Sequence, residues 1–185
     1  PEEVEWVVVA DPRHVNYFSA FFVNPISFST SERALLVLER SGKATLIADN
    51  FTRRAAGTEP FVNDDVTGKW YDHRHSVENR DHFLFQMLRS VVREFSSSKQ
   101  GRGLLELEWL PVEAARVAKL DTSVQSAKLG SVIRNLRRRK EPDEIALLEQ
   151  CMRACEAGHA TALEVDEPEA TELDPDNPCT YAAPD

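Results

Sequence analysis

No apolar run in the chain approaches the roughly 18 residues that a membrane-crossing helix needs, and the opening PEEVEWVVVA lacks the basic region and long apolar core of a secretion signal. A cytoplasmic location is therefore expected, without a membrane partner. Cysteine is scarce: Cys151, Cys155 and Cys179 are an odd number without the spacing of a disulfide scaffold, which fits a reducing compartment. There is no phosphate-binding loop, nucleophile elbow, HExxH helix or internal repeat. Surplus charge is also missing from most of the chain. From Glu164 onward there are eight acids and no Lys or Arg; taking those eight from the total of 31 leaves 23 acids against 22 bases in the first 163 residues. A nearly neutral body does not steer polyanions, so no nucleic-acid partner is expected. The first residue is Pro rather than Met, which suggests a processed, trimmed or partly covered chain.

What is present is a succession of short patterns in one soluble, globular composition of 185 residues, enough for one sizeable core or for one domain and the start of another. Val4 to Ala10 is a β-branched run that reads as a strand buried on both faces, and Asp11-Pro12 marks the cap and first turn of a short helix through Asn16 and Tyr17. Ala34 to Leu38 and Ala44 to Ala48 flank Glu39-Arg40-Ser41-Gly42-Lys43, the strongest hairpin signal in the chain. A short helix is predicted over Phe51 to Ala56, and mixed strand and turn over Glu59 to Tyr71. Leu84, Met87, Leu88, Val91, Val92 and Phe95 give a helical stripe within Val77 to Phe95. Leu104 to Leu107 reads as a strand, Pro111 opens a helix through Val117, and Val124 to Leu129 reads as a last strand or an extended linker. The alternation predicts an α/β fold, a mixed sheet flanked by helices.

The clearest helix starts at Pro142, with Asp143 and Glu144 facing the positive end of its dipole. Ile145, Leu148, Met152, Cys155, His159 and Ala162 then form one stripe at spacings of three and four, a face that something is expected to cover.

Candidate chemistry is thin. In a strand, His73 and His75 would share a face, so the two imidazoles could hold a zinc with His82 or a carboxylate; a solvated loop before a helix explains the same residues. Cys151, Cys155 and His159 lie at i, i+4 steps, but a rise of about 1.5 Å per residue sets Cys151 and His159 roughly 12 Å apart, too far for one ion. Arg134, Arg137, Arg138, Arg139 and Lys140 lack interleaved aromatics and read as a solvated or ion-paired helix face. Gly101-Arg102-Gly103 is a fragment of a dinucleotide fingerprint placed before a strand rather than after it. Trp6, Trp70 and Trp109 read as core or interface anchors.

Taken in order, ADPRHVNYFSAF (10–21), the hairpin ALLVLERSGKATLIADN (34–50), the segment Arg138 to Ile145 and the segment Pro168 to Glu172 resemble the creatinase/prolidase family, which includes X-Pro aminopeptidases and X-Pro dipeptidases. Arg138, Lys140, Glu144 and Ile145 match the family's Arg-x-Lys-x-x-x-Glu-Ile connector, whereas Glu169 stands where the Pro-Gly-x-Thr-Glu segment has Gly. The resemblance implies an N-terminal α/β domain over residues 1–130, connecting helices and the start of a catalytic domain over 131–173, and an acidic, irregular tail over 174–185. It implies a metal-dependent parent hydrolase acting on X-Pro bonds in proline-containing peptides. The parent's catalytic pita-bread domain, which holds two divalent metals (manganese, cobalt or zinc) through Asp, Asp, His, Glu and Glu, is expected to be absent here. No residue of this chain matches a catalytic or metal-ligand position, so the domain is expected to be non-catalytic, to form homo-oligomers and to restrict substrate size beside its own C-terminal catalytic domain. The alternatives are a free-standing binding or oligomerisation module of the same fold, or the N-terminal domain of a creatinase-like small-amide hydrolase.

Overall fold

A computed structural model describes residues 4–23, 32–56, 59–97, 102–120 and 129–165. They form β1 (Val4–Val9), α1 (Pro12–Ser19), β2 (Ala34–Glu39), β3 (Ala44–Asp49), α2 (Asn50–Ala55), β4 (Asp64–Gly68), α3 (Arg80–Ser97), β5 (Arg102–Leu105), α4 (Val112–Ala118), α5 (Leu129–Arg138) and α6 (Pro142–Val165). The chain divides into two compact units, 1–137 and 138–185.

In the first unit the strands lie in the order β4-β3-β2-β1-β5. The hairpin pairs β2 and β3 antiparallel and β1 joins β2 antiparallel, whereas β5 on β1 and β4 on β3 are parallel. The hairpin turn closes through Gly42 N–H to Glu39 O at 2.9 Å, and Gly42 sits at φ 91°, a conformation open to a residue without Cβ.

Alternation along the strands sorts the core into two layers. Val8, Leu35, Val37 and Ile47 face α3 and α4, packing on Leu84, Leu88, Val92 and Ala114. Val9, Leu36, Leu46 and Ala48 point the other way, onto Val15 and Phe21 after β1 and onto Leu129 and Ile133 of α5. Nearly every one of these side chains is fully buried, which explains why the strands read as continuous apolar runs. The predicted mixed α/β sheet flanked by helices is the observed architecture.

Two details differ from the sequence reading. β5 ends at Leu105 instead of running to Leu107, because the backbone turns there: Leu107 N–H bonds Leu105 O at 3.0 Å and Leu110 N–H bonds Glu106 O at 2.9 Å. Leu129 opens α5 rather than closing a strand, since it and Ile133 find apolar cover in the second core layer; residues 124–128 lie outside the described residues. The second unit is represented by α6, whose first turn is closed by Ile145 N–H to Glu141 O at 3.0 Å and by Glu141 N–H to the Glu144 carboxylate at 3.0 Å. On its stripe, Ile145, Leu148 and Met152 are exposed. None of the described helices is long and apolar enough to cross a membrane.

Candidate functional site

Because β1 and β5 are parallel neighbours, the segments that leave them emerge side by side at the carboxyl ends of the two strands, the edge where open α/β sheets place their sites. From β1 come Asp11 and then α1, which carries His14 in its first turn; from β5 comes Glu106. All three side chains are buried. Glu106 Oε2 accepts the backbone N–H groups of Ala10 and Asp11, each at 2.8 Å, and Oε1 meets His14 Nδ1. Asp11 Oδ2 lies 3.9 Å from the same His14 nitrogen. Asp11 is also the N-cap of α1, taking the Arg13 backbone N–H at 2.9 Å, and its two oxygens accept Arg13 Nε at 3.0 Å and Nη2 at 2.7 Å. Burial pushes the Asp11 carboxyl up, but the Arg13 hydrogen bonds outweigh it, so the group titrates below its ordinary value; the same pairing raises Arg13.

Among the described residues, Asp11, His14 and Glu106 are the one group of three potential ligands whose atoms all lie within 4.8 Å of one another. The donor set does not fit the two-metal centre that the family resemblance implies. That centre takes five ligands; here there are three, with one carboxylate spent on two backbone N–H groups and the other clamped by a guanidinium. What the arrangement does is fasten the start of α1 to the end of β5 and fix Arg13 in place.

Arg13 lies over the Trp109 ring, 5.3 Å from its centroid, and across from it Arg137 of α5 lies 5.9 Å from the Tyr17 ring centroid. Between them is a cavity of about 570 Å³ walled by α1, Phe22 and Val23 after it, the turn after β5, and Arg137. Tyr17, Phe22 and Trp109 are each 39–50% exposed there, large aromatic surface left in contact with solvent. The Asn16 carboxamide, the Tyr17 hydroxyl and the Trp109 indole N–H have no protein partner among the described residues.

The residues singled out from sequence are used elsewhere. His73, at φ 70°, stands in a turn bridged by Tyr71 and Ser76, not in a strand, so the shared face expected for His73 and His75 does not form. Asp72 holds that turn by accepting the Arg74 and His75 N–H groups at 3.0 and 2.8 Å; with Lys69, the first cause, these bonds bring its carboxyl down to about 2. His73 packs edge-on against Tyr71, His75 is 3.5 Å from Asp72, and His82 engages Gln86 at 2.9 Å, so the three imidazoles have separate partners. Arg134 pairs with Glu108 at 2.9 Å. Trp70 is covered by Arg80, which also clamps the buried N-cap Asp49 of α2 through Nε at 2.7 Å and Nη2 at 3.0 Å. Cys151 and Cys155 are exposed on α6.

Sequence reasoning found Asp11 only as a helix cap and missed His14 and Glu106 altogether. Glu106 is 92 residues from His14, and an isolated Glu after a short strand carries no local signal.

The five-stranded mixed sheet flanked by helices is the fold of the N-terminal domain of prolidase-like proteins. The chain is similar to prolidase from Pyrococcus furiosus (18% identity, 91% of this chain and 40% of that one, TM-score 0.50) and to the prolidase from Pyrococcus horikoshii OT3 (17%, 91% and 40%, 0.54). It is also similar to X-Pro aminopeptidase from Thermotoga maritima MSB8 (16%, 88% and 42%, 0.55). It thus spans about two fifths of the length of these solved structures. No protein-family model and no curated protein matches the chain. At these identities the likeness is one of fold.

Proposed function

We propose that this chain is the non-catalytic N-terminal domain of a metal-dependent hydrolase of the X-Pro peptidase type. The observation that carries the reading is that almost the whole chain, 88–91% of it, matches in fold about two fifths of three proteins with such names. In this reading the chemistry lies in the domain's own C-terminal catalytic partner, where two divalent ions would activate a water toward the amide carbonyl of a proline-containing peptide. The domain contributes contacts: it restricts substrate size and joins copies into a homo-oligomer in the cytoplasm. The exposed apolar side chains of Ile145, Leu148 and Met152 on α6 support a docking role, because a row of large hydrophobics left in solvent marks an interaction surface.

Two measurements test this together. The purified chain, supplied with manganese or cobalt, should leave an X-Pro dipeptide intact; turnover would show that the domain is itself an enzyme. The coding sequence that follows Asp185 should contain Asp, Asp, His, Glu and Glu in that order, and a frame closing without them would favour a free-standing module.

A further inference from the structure

We propose that the cavity between α1, the turn after β5 and Arg137 is a binding site for a small monocarboxylate with a flat apolar body. The inference concerns this unit alone and does not depend on the peptidase reading. Four observations converge. The volume of about 570 Å³ lies within the usual range for small-molecule pockets. The site stands at the carboxyl ends of two adjacent parallel strands, where backbone ends and loop side chains converge. Its walls keep three aromatic rings partly exposed, apolar and flat surface that a ring would cover.

The fourth observation concerns its polar groups, among which Arg13 and Trp109 present N–H groups that can only donate. Arg13 spends Nε and Nη2 on Asp11, which leaves the Nη1 N–H groups without a protein partner among the described residues. The Trp109 indole N–H, the Tyr17 hydroxyl and the Asn16 carboxamide are likewise unengaged. The guanidinium and indole N–H groups can only donate, so they call for a ligand that brings acceptor oxygens, and a guanidinium edge beside aromatic faces suits a carboxylate. Because Asp11 neutralises Arg13, the cavity is left with at most the single positive charge of Arg137, which suits a monoanion better than a phosphate dianion. The buried cluster supplies the preorganisation: Glu106 and His14 hold Asp11's end of α1, and Asp11 holds Arg13 over Trp109.

Isothermal titration of the whole chain with N-acetylphenylalanine, its uncharged amide and phenyl phosphate tests the ligand class. A matched pair of tripeptides ending in free or amidated Phe distinguishes a peptide terminus from a free acid as the source. The acid should bind saturably and the amide about tenfold more weakly or worse. Trp109→Phe, which keeps the ring and removes the N–H, and Asn16→Leu should each weaken the acid, with the Trp109 indole resonance shifting on titration of the unsubstituted protein. Arg13→Lys should lose most of the binding while circular dichroism confirms the fold. Equal affinity for acid and amide, tighter binding of phenyl phosphate, no saturable heat into the millimolar range, or binding unchanged by all three substitutions would overturn the proposal.

Discussion

Glu106 shows how much one side chain is asked to do. A carboxylate buried this completely survives only if its oxygens are fully engaged, and here two backbone N–H groups and an imidazole engage them. Glu106→Gln keeps the shape and one acceptor oxygen but removes the charge opposite His14. Since replacing one acceptor of a fully buried hydrogen-bonded cluster leaves its partners poorly paired, urea denaturation should show a loss of about 2 kcal/mol. Glu108→Gln, two residues along and half exposed in its pair with Arg134, should cost no more than about 0.5 kcal/mol. Equal costs for the two would mean that the buried cluster is not what pins α1 to β5. Position, not residue type, makes the difference, and for that reason LELEW offered no hint of which Glu matters.

At the level of whole elements, the join between β1 and β5 rests on a matched large and small pair. Trp6 faces Gly103 in register, and a Cβ built on Gly103 would lie 2.1 Å from the Trp6 ring. Gly103 is therefore the floor on which an indole lies, which accounts for the glycine in the Gly101-Arg102-Gly103 fragment without any nucleotide. Gly103→Ala should lower stability by about 1–3 kcal/mol through overpacking, and Trp6→Leu in the same protein should return part of it. Thermal melts of the two variants decide the matter: a Gly103→Ala protein as stable as the parent would show that the strands pair without this fit. The helices obey the same rule of local pattern and distant partner. The stripe of α3 finds the sheet, and that of α6 lies exposed.

For the molecule as a whole, the exposed row on α6 sets an expectation about association. Leu148 and Met152 are one turn apart and 49% and 60% exposed. Replacing both with Glu should leave the melting of the sheet unit within about 0.5 kcal/mol, because neither residue belongs to its two core layers. Light scattering at increasing concentration should show less self-association than for the parent chain. A variant that unfolds the sheet unit would show that these side chains serve the fold and not a partner.

The order of strands and helices could be read from the sequence because it depends on patterns within a dozen residues: period two in the hairpin, spacings of three and four in α3 and α6, and the Asp11-Pro12 cap. The resemblance to a family carried the same local segments further, to a fold. What only the tertiary structure decided was which strand lies beside which, and the buried cluster and the cavity follow from that. Parallel pairing of β1 with β5 brings Glu106 to His14, turns Arg13 onto Trp109, and opens the cavity beneath them. No local pattern encodes a meeting of residues more than ninety positions apart. The histidines at 73, 75 and 82 show the converse: adjacency in sequence suggested a site, and a turn with φ 70° at His73 gave each imidazole a different neighbour.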